Sequence, residues 1–280
     1  MYTKRFRVIL IIVLSCLWLS AGGYYLATKP ADRNIAGFFE VPPAAGEIED
    51  AYALLTARRD AQALRIFEQI LSNDPGNIQA RWGTAEVLRR ENRFQDAERI
   101  LIDNLEVDPQ HPPSLLTLAY ISYKEDALAQ AGELISRALR SPQLSRQDKG
   151  LAYMLKGAIN SRRSQGGWLF GKLIYGPQIK GYFLKARELA PQLPEVHLGL
   201  GTFYLLAPKI AGGNLQLAIE ELRLALDLAP DFATASARLT QAYKEAGDLQ
   251  QYDYYIKKTR ELDPENEVLQ ELSADAKINR

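Results

Sequence analysis

Two histidines, one cysteine and scattered carboxylates are all that this 280-residue chain offers to nucleophilic or metal chemistry. Nucleophilic catalysis needs a base within hydrogen-bond reach of the nucleophile and a third group to orient that base. A structural zinc site needs four ligands, drawn mainly from Cys and His. His111 and His197 are 86 residues apart, and Cys16 lies in an apolar run, so neither set assembles from this inventory. Glu220-Glu221 and the pair Glu47 and Asp50 fall in helical stretches, where carboxylates ordinarily serve as solvated surface. The expectation is therefore a protein without catalytic residues, cofactor or metal, one that works by binding. The lone cysteine also leaves no intrachain disulfide.

Lys and Arg number 34, as do Asp and Glu, so the zero net charge gives no pull toward nucleic acid. Hydrophobic residues at 47% and charged residues at 24% match folded globular chains, so a substantial core is expected. What remains for chemistry is a set of aromatic, aliphatic and cationic side chains, which become a site only if helices align them on one surface.

Those helices announce themselves through a repeat. Prolines that follow apolar helical runs fall at Pro75, Pro109, Pro142, Pro191, Pro230 and Pro264, with spacings of 34, 33, 49, 39 and 34 residues. Ala63, Ala97 and Ala218 lie twelve residues before their prolines, and Ala131 eleven before its own. A large apolar residue lies eight before: Phe67, Leu101, Phe183, Leu222 and Ile256. The pattern describes two antiparallel helices per unit, A then B, each too short to bury its apolar face alone. Small residues let the two axes approach, large ones fill the space between units, and proline ends helix B. Asp74, Asp108 and Asp263 each precede one of these prolines.

This pattern resembles the tetratricopeptide (TPR) repeat, whose signature on helix A is a large residue, Leu-Gly and Tyr, followed on helix B by Ala, an aromatic, Ala and Pro. The fifth unit carries His197, Leu200-Gly201, Tyr204, Ala218, Leu222, Ala225 and Pro230 in the matching places. The sixth carries Leu239, Tyr243, Ala246-Gly247-Asp248 and Pro264. The second has Arg81, Thr84-Ala85, Leu88, Ala97, Leu101 and Pro109, and the third Leu115, Leu118-Ala119, Ala131 and Ile135. The first is degenerate, with Ala51 and Leu54 standing for Gly and Tyr. The resemblance implies an all-α solenoid, a right-handed superhelix of six units at 44–77, 78–111, 112–145, 150–193, 194–232 and 233–266. Residues 267–280 then read as a C-terminal cap helix.

Ahead of the repeats, Lys4, Arg5 and Arg7 precede 20 uncharged residues, Val8 to Ala27. A helix of that length spans about 30 Å, the thickness of a bilayer's hydrocarbon core. The positive flank predicts a cytoplasmic N-terminus, with the remainder exported. Three fates fit the 1–27 segment: a retained signal anchor, a signal cleaved near Ser20-Ala21-Gly22, or lipid attachment at Cys16, since Val13-Leu14-Ser15-Cys16 resembles a lipobox. Each puts the repeats on the periplasmic side of a bacterial inner membrane or beyond it. Residues 28–43, rich in Pro, Gly and polar residues, read as a linker.

In TPR proteins the concave groove is lined by helix A, at the second, fifth, ninth, twelfth and thirteenth positions of each unit. Carried over, these include Trp82, Glu86, Arg89 and Arg90, then Leu116, Tyr120, Tyr123 and Lys124, then Met154 and Arg162, and then Leu198, Leu205 and Leu206. Aromatic and aliphatic anchors edged by Arg and Lys suit a protein or peptide partner with apolar side chains and some acidic character. The family's carboxylate clamp needs Lys and Asn; Tyr52, Glu86 and Tyr120 hold the ninth positions here, which disfavours that partner class.

Two interruptions complete the reading. Ser164 to Pro177 is an insertion in the fourth unit with a Trp168–Tyr175 apolar run, expected either to extend helix B or to expose a patch. Ala207-Pro208-Lys209-Ile210-Ala211-Gly212-Gly213 separates the helices of the fifth. It is similar to a TPR family associated with TRAP solute transporters, which implies a second role as a solute-binding accessory. The primary expectation is a membrane-tethered TPR scaffold.

Overall fold

The computed structural model describes residues 45–166 and 168–278, with side-chain surroundings for 46–164 and 176–272. The apolar segment, the linker and Cys16 lie outside the described residues. Among these residues there are 13 α-helices and no strand. They are α1 Ala45–Thr56, α2 Asp60–Asn73, α3 Ile78–Arg90, α4 Phe94–Val107, α5 Pro112–Lys124, α6 Leu128–Arg140, α7 Arg146–Gly166, α8 Trp168–Leu189, α9 Pro194–Leu206, α10 Leu215–Leu228, α11 Ala233–Ala246, α12 Leu249–Leu262 and α13 Glu267–Ile278.

Odd-numbered helices act as A and even-numbered ones as B. Each A helix packs on its own B helix and also on the next A helix, while the B helices find their main contacts on A helices. The A helices therefore form a continuous inner layer, with the B helices outside it. Small residues set this spacing. Ala63, Ala97, Ala131 and Ala218 are fully buried, and so are Phe67, Leu101, Ile135 and Leu222 between neighbours. The core is a ribbon running the length of the stack rather than one centre.

The turns show why the repeat punctuates as it does. Each B helix ends two residues before its proline. Where Asp precedes that proline, the carboxylate accepts a backbone N–H two residues on: Asp74 from Gly76 at 3.1 Å, Asp108 from Gln110 at 2.9 Å and Asp263 from Glu265 at 3.2 Å. Ser141 does the same for Gln143. The tight turn between A and B needs a left-handed residue, which Arg58, Asn92, Asp126 and Gly247 supply at φ 62°, 60°, 63° and 73°.

The fourth pair begins at Arg146, and the inserted residues lengthen both of its helices, to 21 and 22 residues, instead of forming a loop. The side chains at 168–175 are outside the described residues. No helix among those described is long and apolar enough to cross a membrane.

Candidate functional site

The inner layer of A helices encloses a cleft of about 2070 Å³, lined by residues from Tyr52 in α1 to Glu271 in α13. At one end, Trp82 Nε1 donates to Thr117 Oγ1 at 3.0 Å, and its ring stands edge-on to Tyr52 with centroids 5.5 Å apart. Burial pushes the Tyr52 phenol up, helped by the charges of Asp148 and Glu49. Further along, the rings of Tyr120 and Tyr123 lie 6.5 Å apart, and both face the cleft.

A buried ionic network occupies the middle. Arg89 grips Glu86 with two hydrogen bonds, Nε to Oε2 at 2.8 Å and Nη2 to Oε1 at 2.5 Å, and its guanidinium sits 4.2 Å from the Tyr120 centroid. Arg90 reaches Glu86 at 3.0 Å, Asp60 at 2.6 Å and the Leu55 carbonyl at 2.7 Å. Burial alone would raise the Glu86 carboxyl, but the charges and hydrogen bonds of Arg89 and Arg90 outweigh it and hold the group at about 2. Arg58, from the α1–α2 turn, crosses to Glu195 at the start of α9, with Nη2 to Oε1 at 2.5 Å.

The groove residues read from sequence divide into three groups. Trp82, Tyr120, Tyr123 and Leu198 are half-buried on the cleft wall. Met154 lines it from within the core. The cations are engaged: Arg89 with Glu86, Lys124 with Glu267 at 2.9 Å, and Arg162 with Asp126 at 3.6 Å and over Tyr123 at 5.2 Å. Leu205 is the exception, because it is buried in the core and is not part of the cleft lining. An aliphatic side chain gains by folding into the core, whereas Arg89, at the equivalent place in the second unit, finds its partner in Glu86. Leu206, the next residue, takes the rim and is 48% exposed.

The cations behind the expected acidic character of a partner already meet acids of this chain. All six basic side chains lining the described cleft (Arg58, Arg89, Arg90, Lys124, Arg162 and Arg238) are ion-paired within the chain. Counting from the same lining, they face nine acidic ones. No unpaired cation is left there to receive a carboxylate.

Two other polar centres are structural. His197 is buried, with Nδ1 2.7 Å from Glu221 and Nε2 2.8 Å from the Pro191 carbonyl, and Glu221 also binds Arg187 of α8 at 2.6 Å. These bonds tie the fifth unit to the fourth. Burial would lower the His197 imidazole, yet the hydrogen bonds to Glu221 and Pro191 prevail and raise it. In the Ala207–Gly213 loop, a Cβ on Gly213 would fall 1.8 Å from the Ala207 carbonyl oxygen. The loop closes on α9 through Asn214 N–H to the Tyr204 carbonyl at 2.8 Å, leaving Ile210 99% exposed on the cleft rim. Gly212-Gly213 thus serves loop closure.

Sequence reasoning missed Arg58, Glu195 and Phe232, whose ring lies 3.7 Å from the Arg58 guanidinium. The one signal was an arginine at a turn where other units place Asn, Asp or Gly.

Residues 54–110 match a family model described as tetratricopeptide repeat. No curated protein matches the chain significantly. Among solved structures, the chain is similar to TTC0263, a thermophilic TPR protein of Thermus thermophilus, at 22% identity over 72% of this chain and 99% of that one, with a TM-score of 0.56. It is also similar to human IFIT1, solved as a dimer with m7Gppp-AAAA, at 19% identity over 76% of this chain and 49% of that one, with a TM-score of 0.55. A chain of the APC/C hetero-tetramer Cut9-Hcn1 matches at 18% identity over 83% of this chain and 48% of that one, with a TM-score of 0.56. The chain spans about half the length of the last two. At these identities the likeness is one of fold.

Proposed function

We propose, from the tetratricopeptide-repeat solenoid that this chain forms, that it is a scaffold whose inner cleft holds a segment of a protein partner. The observation that carries this is the cleft itself. Its volume, about 2070 Å³, exceeds the range of roughly 300–1,000 Å³ of small-molecule pockets, and its wall includes Trp82, Tyr120, Tyr123 and Leu198. Half-exposed aromatics on rigid helices are efficient anchors, because little conformational entropy is lost when they are covered. The capped RNA in the IFIT1 structure does not transfer to this chain. Nine acidic side chains against six internally paired basic ones are poorly matched to a phosphate backbone.

Tethering to a bacterial inner membrane, with the repeats on the periplasmic side, is the location proposed with this role. Its support is the 20-residue uncharged stretch Val8–Ala27 behind Lys4, Arg5 and Arg7. A solute-binding role beside a TRAP-type transporter rests on the Ala207–Gly213 resemblance, and the cleft's size weighs against it.

Cross-linking and mass spectrometry of the full chain in its native membranes tests both parts. Tyr120→Ala with Tyr123→Ala should abolish specific cross-links to cleft residues while the chain stays in the membrane pellet. Removing residues 1–27 should release it from the pellet. An unchanged set of cross-linked partners in the double variant refutes the cleft assignment.

A further inference from the structure

Arg58 occupies the turn position where neighbouring units carry Asn92, Asp126 and Gly247, and it shares their positive φ, at 62°. Gly, Asn and Asp tolerate this region; a long side chain gains nothing from it. Its guanidinium nevertheless leaves its own unit and meets Glu195, 137 residues away in sequence, at 2.5 Å. It also stacks on Phe232, the N-cap residue of α11, at 3.7 Å. Arg58 Nε is buried without a hydrogen-bond partner.

Strained backbone, a desolvated cation and an unmatched donor all oppose this contact. A residue held against such local costs points to a role other than stability. Both partners also have an alternative. Arg90 Nη2 lies 3.7 Å from the same Glu195 oxygen, so the carboxylate has a second cation beside it at the moment Arg58 lets go, and as the cleft opens it regains water. Arg58, once released, regains water on all of its donors. Of the other ties across the cleft among the described residues, Arg90–Glu195 is long at 3.7 Å, and Lys124–Glu267 at 2.9 Å has Glu267 76% exposed and is weakened by salt.

We infer that Arg58 is a clasp that closes the superhelix on itself, holding the first unit against the fifth, and that its release opens the cleft to a protein segment too wide to thread the closed form. This goes beyond the binding role and is measured without any partner, so it fails or stands independently of that role.

Distance measurement by double electron–electron resonance on the full chain tests it. Spin labels go on Arg59→Cys and Asp231→Cys, exposed neighbours of Arg58 and Phe232, in a Cys16→Ser background. With Arg58 present, the labels should give one short, narrow distance distribution. Arg58→Gly suits the left-handed backbone and removes the clasp, so the distribution should lengthen by several ångström and broaden, with helical content unchanged. Glu195→Gln, which keeps an acceptor but loses the charge, should fall between the two. An unchanged distribution in Arg58→Gly overturns the inference. Loss of helical circular dichroism in that variant overturns it as well, because a clasp, unlike a core brace, is dispensable for folding.

Discussion

Gly83→Ala is the sharpest test of how the units pack. A Cβ built on Gly83 would lie 2.2 Å from Phe67 Cζ and 2.4 Å from both Cε atoms. Ordinary carbon contacts begin near about 3.5 Å, so the ring would have to retreat by more than about 1 Å. It has nowhere to go, because Phe67 is fully buried against Ala51, Leu55, Ala63 and Ile70, with Tyr52 tilted over it at 5.9 Å. Overpacking of this kind costs about 1–3 kcal/mol, and alanine's better helix propensity returns about 1 kcal/mol. The expected net loss is up to about 2 kcal/mol, confined to the first units because a solenoid's stability is a sum of neighbouring terms. Hydrogen exchange should therefore accelerate in α1–α3 and remain unchanged from α9 onward. The decisive arm is Phe67→Leu, which deletes the atoms in the way. In that background Gly83→Ala should turn neutral or stabilising, giving a coupling of about 2 kcal/mol in a double-mutant cycle. An equal loss in both backgrounds, or a gain in the native one, would refute the packing argument.

Two pH effects accompany it. Glu86 titrates at about 2 in the folded chain, below its ordinary 4.5, so its contribution is complete above about 4.5 and disappears as the pH falls toward 2. Glu86→Gln should flatten the dependence of stability on pH across that window, a span on the order of 3 kcal/mol; an unchanged slope would assign the acid sensitivity to other groups. The shift of His197 has the opposite sign. Its folded value is raised, so the stability it supplies is complete below about 6.5 and is lost as the pH rises through the folded value. NMR titration should find the His197 imidazole above its ordinary value in the native chain and lower in Glu221→Gln, where the Pro191 carbonyl alone still opposes burial. A native imidazole titrating at or below the ordinary value would contradict the Glu221 hydrogen bond.

The turns and the core of each unit were readable because they are local. Pro75, Asp74 and Gly76 make their turn with each other, and Ala63 meets Phe67's side of the helix within one unit, so period and residue type suffice. One packing rule between neighbouring units is also written in the spacing. Gly83 falls sixteen residues after Phe67, and Gly199 sixteen after Phe183. Both glycines receive those rings, at 2.2 and 3.0 Å from the ideal Cβ. Where the same helix B position holds Leu101, Ile135 or Leu222, the matching residue is Thr117, Leu151 or Arg238, and it keeps its side chain.

The cleft was only half legible. Helical position placed Trp82, Tyr120, Tyr123 and Leu198 on the inner layer, since that depends on period alone. It misplaced Leu205, whose final-turn side chain chose between core and rim by where apolar surface was left to cover. It also offered Arg89, Lys124 and Arg162 as groups for a partner, when each had an acid waiting elsewhere in the chain.

The sequence by itself thus determined the repeat, the helices, their turns and the face each turns inward, because those follow from interactions between residues at most one unit apart. How far the superhelix curls is a sum of small rotations between units that no single residue encodes. That curl alone decides that Arg58 meets Glu195 and Phe232, that Lys124 meets Glu267, and that the cleft has a far wall at all.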